Sequence, residues 1–178
     1  MLSSLAAMDA ILHDAAHPNE NSNVSMICLF DHEEIGSASA QGADSALLPD
    51  TLERIFYNLA ASSKEDGEKE KLFEKYHATL MKSMLLSVDM AHGVHPNYGS
   101  KHQENHMPKF HEGVVIKWNA NQRYMTDAIS ASIVKDIAKS VDVPLQEFIV
   151  RNDSPCGSTI GPMIASKLGL KTIDLGVA

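Results

Sequence analysis

Apolar residues recur at Leu2, Leu5, Met8, Ile11 and Leu12, spaced three or four apart, which predicts an opening helix that starts without an evident cap. A polar turn over 17–23 follows. Residues 24–30 then form a near-continuous apolar run of strand length (Val-Ser-Met-Ile-Cys-Leu-Phe), the pattern of a strand covered on both faces, as in a parallel sheet. Leu52, Ile55, Phe56 and Leu59 predict a second helix over 50–61. Residues 64–71 are charged and contain glycine, so they read as a solvated loop and helix start, with helix continuing over 72–82. Met84–Val88 is a short apolar strand ending at Asp89. The stretch 90–113 is rich in histidine, glycine and proline and has little periodicity. Loops of that length inside a domain are usually functional or disordered.

Val114–Trp118 is the next strand. Ala128, Ile129, Ile133, Val134, Ile137, Ala138 and Val141 mark an amphipathic helix, capped by Thr126 or Asp127. Strands over 147–150 and 171–175 bracket a Gly-rich turn and a helix around 162–168. This alternation, with no internal repeat, predicts an α/β fold with a mainly parallel sheet flanked by helices. Sites in such sheets form at the carboxyl ends of strands, and both acidic motifs described next are expected there.

Composition narrows the function classes. A chain of 178 residues with 44% apolar content suits one globular domain. The formal charge of -8 argues against a nucleic-acid groove, which needs clustered Lys and Arg. No run approaches the roughly 18 apolar residues of a membrane span. The first residues lack the layout of a signal peptide, so a cytoplasmic location is expected. Cys28 and Cys156 form no Cys-x-x-Cys pair and read as reduced thiols.

Two segments carry chemistry. Asp31-His32-Glu33-Glu34-Ile35-Gly36-Ser37 follows the 24–30 run. In an extended segment adjacent side chains point apart, so one glutamate can bind a metal while its neighbour takes a proton from the attacking water. The same residues also suit an exposed acidic loop. The second segment runs from Ser87 to Tyr98, where a strand delivers Asp89 and then His92 and His95. Asp89 is placed as a ligand, and the histidines could hold a substrate, or could simply cap and bond loop backbone. Gly157, Ser158 and Thr159 before a helix raise the idea of an anion nest. They read better as a tight turn that lines a pocket or an assembly contact.

These motifs, in this order, resemble the aspartyl aminopeptidase family. Ser39-Ala40-Gln41-Gly42-Ala43 continues the first, and His102-Gln103-Glu104-Asn105-His106 follows the second. Val115-Ile116-Lys117, Gln122-Arg123-Tyr124, residues 151–162 and Leu168-Gly169-Leu170 also match, so the likeness spans nearly the whole chain. The resemblance implies a zinc-exopeptidase-like fold and two Zn²⁺ ions per complete site. It makes Glu33 the general base, and Glu34 and Asp89 zinc ligands. It puts His92, Lys117 and Tyr124 at the substrate. Lys117 or His92 could then neutralise an N-terminal Asp or Glu side chain, and Tyr124 could donate to an oxyanion. Against those roles stand an exposed strand-edge lysine and a half-buried packing tyrosine.

The family pattern also has an upstream His-x-Asp segment, a bridging aspartate before the first helix and a histidine a few residues past Ala178. None of these occurs in the sequence, and His13 and His17 do not match the upstream motif. Residues 1–178 therefore read as the C-terminal part of a catalytic domain, without the oligomerisation domain or the N-terminal catalytic segment. The function implied is release of N-terminal Asp or Glu from peptides by zinc-activated water, in a homo-oligomer that engages neither nucleic acid nor membrane. The chain alone is expected to hold zinc weakly or not at all and to be inactive. The competing readings are a non-catalytic fragment or paralogue serving assembly, and a related zinc hydrolase of other specificity.

Overall fold

The periodicities resolve into five helices and four strands in a computed structural model that describes residues 2–18, 22–62 and 69–178. Helix α1 spans Leu2–Ala16, α2 Leu47–Ser62 and α3 Lys69–Lys82. The predicted solvated stretch at 64–68 lies outside the described residues. Strands β1 (Met84–Val88) and β2 (Val114–Trp118) follow, then α4 (Ala128–Ser140), β3 (Leu145–Ile149), α5 (Gly161–Leu168) and β4 (Lys171–Val177).

The four strands form one sheet in the order β1-β4-β2-β3. β1 pairs with β4 and β2 with β3 in parallel, while β2 and β4 run antiparallel. The sheet is thus mainly parallel, as the alternation of helix and strand predicts. Helix α4 covers one face, where Ala131 and Val134 pack on Ile116, Ile173 and Leu175. On the opposite face Val115, Tyr124, Phe148 and Val150 form a second cluster. At the β1 side a third cluster joins Leu48 of α2 and Ile164 of α5 to Leu85.

The ladder also aligns polar groups. Ser87 pairs with Asp174, and Lys117 pairs with Phe148. Because Ile116 pairs with Leu175 on the α4 face, alternation sends Lys117 and Asp174 to the other face. One row across the sheet therefore reads Ser87, Asp174, Lys117, Phe148. The first three are polar and buried.

The strand expected at 24–30 does not form. That segment has no regular secondary structure and pairs with no strand among the described residues. Cys28 and Phe30, two residues apart, pack on the Ala43, Leu48 and Ile164 cluster, while Val24 and Leu29 face outward. The burial on both faces that a sheet-covered strand needs is absent: Ile27, Cys28 and Phe30 are partly covered, whereas Val24, Ser25, Met26 and Leu29 are exposed. Consequently the first acidic motif follows an unpaired segment, and only Asp89 stands at the end of a strand.

Candidate active site

The chain turns sharply after Asp31. His32 adopts a left-handed conformation (φ 61°) and opens a short 3-10 turn over Glu33–Ile35. The backbone N–H of Ser37 donates to His32 O at 2.8 Å, and that of Asp31 donates to Gln41 O at 3.1 Å. Glu33 and Glu34 thus do not alternate across an extended strand. They differ in direction because a 3-10 turn rotates about 120° per residue. Glu33 is partly covered and Glu34 is exposed.

The second motif is held against β4. Asp89 N–H donates to Leu175 O at 3.1 Å and Ala91 N–H to Val177 O at 2.8 Å, so the backbone keeps following β4 beyond the end of β1. A side chain at Gly176 could not be accommodated: a Cβ there would lie 1.6 Å from Asp89 O. Asp89 is left projecting at the strand tip. Its carboxylate meets the Lys117 ammonium at 3.5 Å.

Lys117 is 2% exposed and sits on the interior strand β2, so it is not a strand-edge lysine. Its Nζ also lies 5.4 Å from the centre of the Tyr124 ring. Tyr124 is buried against Val115, Phe148 and Val150. Burial pushes its phenol above the usual tyrosine range, and the neighbouring Cys156 adds to that, as do Asp174 and Asp89.

Glu33 belongs to the same electrostatic group. Its carboxyl is raised above the ordinary glutamate value chiefly by burial, then by Asp89 and Glu34, with Lys117 opposing. His92 is exposed, and its ring rests 5.6 Å from Phe148. His102 Nε2 lies 3.3 Å from His92 O, and His102 packs on the same Phe148. His95 acts locally, since its Nδ1 accepts from Asn97 N–H at 3.1 Å and caps the turn that follows. The structure thus joins Asp89, Lys117 and Tyr124, sets Glu33 within electrostatic range of Asp89 and Lys117, rests His92 on Phe148, leaves Glu34 exposed on the turn beside Glu33, and leaves His95 as a cap.

Sequence reasoning passed over Asp174 and read Thr159 only as part of a turn. Thr159 Oγ1 donates to Asp174 Oδ1 at 2.6 Å, so the turn read as a possible anion nest serves a carboxylate of the chain itself. An aspartate within the apolar run of β4 was the available signal. Two clefts, of about 350 and about 260 Å³, open beside the site. Asn152, Ser154 and Cys156 line the smaller, as a pocket-lining turn would, and neither cleft is lined by Glu33, Asp89 or Lys117.

The donor set bears on metal binding. Among the described residues no three His, Cys, Asp or Glu side chains converge as a ligand group. Zinc sites use three or four protein ligands. Glu34 and Asp89 without further donors do not fit zinc.

The family model for the aminopeptidase I zinc metalloproteases (M18) matches residues 1–178. A probable aspartyl aminopeptidase of Ricinus communis is 50% identical over 171 residues, which cover 96% of this chain and 33% of that protein. The crystal structure of prApe1 superposes with a TM-score of 0.81 at 33% identity, covering 98% of this chain and 35% of that one. The mApe1 dodecamer of S. cerevisiae gives 0.74 at 31% identity, over 98% of this chain and 36% of that one. The chain spans about a third of the length of the curated relatives it matches. With the family model matching from end to end, this chain belongs to the M18 family of zinc metallo-aminopeptidases.

Proposed function

We propose that this chain supplies the C-terminal part of the catalytic domain of a cytoplasmic, homo-oligomeric aminopeptidase. That enzyme releases N-terminal Asp or Glu from peptides by zinc-activated water. Glu34 and Asp89 are its contribution to the metal centre, with the other ligands and the oligomerisation domain lying outside residues 1–178. The observation that carries the reading is the buried Lys117 ammonium, set between Asp89 and Tyr124 within electrostatic range of Glu33. A fully buried lysine is expensive to desolvate. A position that keeps one beside an exposed carboxylate offers a cation to incoming anionic groups.

Each residue has a role suited to its surroundings. Glu33 accepts a proton, and a raised carboxyl brings its affinity closer to neutral pH, where general bases work best. Lys117 neutralises the acidic side chain of the substrate. Tyr124, whose raised phenol stays protonated, donates to the developing oxyanion. His92 borders the substrate. The names of the relatives, aspartyl aminopeptidase in Ricinus communis and dodecamer for mApe1, support the specificity and the assembly.

The specificity claim is tested by Lys117→Met in the complete protein. The expected result is a larger fall in kcat/KM for substrates with N-terminal Asp or Glu than for neutral ones; equal losses on both would remove Lys117 from substrate recognition. The ligand count is tested on this chain by dialysis and native mass spectrometry. Less than one zinc per chain is expected, and no peptidase activity. Two tightly held zincs would overturn the division of the site between this chain and the rest of the protein. If the complete protein also binds no zinc and cleaves nothing, the assembly-module reading takes over.

A further inference from the structure

We infer that Asp174 is a positioning residue: one carboxylate oxygen holds the segment that carries Tyr124 and the other holds the turn that carries Cys156. The inference rests on the reading of Tyr124 as a substrate-facing group. Asp174 is wholly buried at the middle of β4. Its Oδ2 accepts the Met125 N–H at 2.6 Å, and its Oδ1 accepts the Thr159 hydroxyl at 2.6 Å. The backbone joins in, since Asp174 N–H donates to Thr126 Oγ1 at 3.0 Å and that hydroxyl faces Asp174 O at 3.3 Å.

The two segments also touch each other, with Thr159 N–H donating to Arg123 O at 3.2 Å. Residues 123–126 and 156–159 are thereby fastened to one strand from two sides. Between them stands the Tyr124 ring, in the apolar cluster against which Cys156 packs. The chain clears space for this carboxylate: a Cβ on Gly161, at the start of α5, would lie 2.6 Å from Oδ2. Asp174 shares its face of the sheet with Lys117, so the strand that presents Asp174 also fixes Tyr124 relative to the lysine.

A carboxylate accepts at both oxygens, whereas an amide accepts at one and donates at the other. Asparagine at 174 can still accept from Met125 N–H while its NH₂ donates to Thr159 Oγ1. Valine at 159 cannot donate at all. The experiment is therefore built on Thr159, which touches no substrate in this reading.

The chain is labelled with 3-fluorotyrosine, its Tyr124 resonance is assigned by Tyr124→Phe, and Thr159→Val, Thr159→Ser and Asp174→Asn are compared by ¹⁹F spectra after circular dichroism shows each to be folded. Thr159→Val is expected to move or broaden the Tyr124 resonance while those of Tyr57, Tyr76 and Tyr98 stay in place. Thr159→Ser and Asp174→Asn are expected to restore the wild-type position. An unmoved Tyr124 signal in folded Thr159→Val overturns the inference, and so does failure of Thr159→Ser to restore it. The fluorine signal is independent of turnover. Failure of the proposed function is read separately, from the kinetics of Tyr124→Phe in the complete protein.

Discussion

A carboxyl partly withdrawn from water and crowded by Asp89 and Glu34 is harder to ionise in the folded chain than in the unfolded one, which is the state of Glu33. A raised folded pKa means that the native state keeps its proton to higher pH. Folding is then penalised once the pH has risen through the folded value, and the penalty is absent below the ordinary value of 4.5. Glutamine carries no such charge. Glu33→Gln is therefore expected to raise the thermal midpoint at pH 7, and its advantage is expected to vanish below pH 4.5. Matched scans at the two pH values check this, and equal midpoints at pH 7 would contradict it. In the complete protein the same change is expected to lower kcat by about 10²–10⁴-fold, the usual contribution of a general base. The residue that costs stability is the one assigned the chemistry.

Helix α4 shows why some elements are readable from sequence. Its apolar positions follow the helical period, and its start is written in side chains that act locally. Asp127 Oδ1 accepts Ser130 N–H at 2.7 Å, and Ser130 Oγ accepts Asp127 N–H at 3.1 Å. Losing such a cap costs about 1–2 kcal/mol, the expected loss for Asp127→Ala in urea unfolding at pH 7. The Ser130 backbone bond holds the Asp127 carboxyl below its ordinary value of 3.8. A depressed folded pKa gives stability that is complete above 3.8 and is lost as pH falls through the folded value. The gap between wild type and Asp127→Ala should therefore narrow below pH 3.8, and a gap constant down to pH 2 would reject the cap as its source.

Strands were less legible than α4, because a ladder depends on partners far along the chain. Met84–Val88 and Val114–Trp118 pair where their composition places them. Residues 24–30, equally apolar, find no strand beside them among the described residues. The site divides the same way. Its charged groups were visible as residue types, but the burial of Lys117 depends on which strands flank β2. The role of Asp174 depends on two loops, 48 and 15 residues away from it in sequence, and no local pattern announces that.

At the scale of the whole molecule, the surface of this chain presents apolar residues on two elements. Leu2, Leu5, Met8 and Leu12 are all exposed on α1, and none of its 15 residues is buried. β1 is an outer strand with Leu86 and Val88 exposed. The matched region of prApe1, which covers 98% of this chain, lies within a chain nearly three times as long. A lone helix of about 12–15 residues is marginal in water, because helices in proteins owe most of their stability to packing an apolar face. α1 offers such a face and, within this chain, covers only part of it, at Ile11. Hydrogen exchange at pH 7 on the isolated chain is therefore expected to show α1 amides exchanging at nearly unprotected rates, with β2 and α4 protected by orders of magnitude. In the complete protein, α1 is expected to gain protection comparable to α4, since the rest of the polypeptide would cover its apolar face. Strong protection of α1 in the dilute isolated chain, unchanged on tenfold dilution, would show that the helix holds without a partner. The division of labour argued for the metal site would then have no counterpart in the packing of the fold.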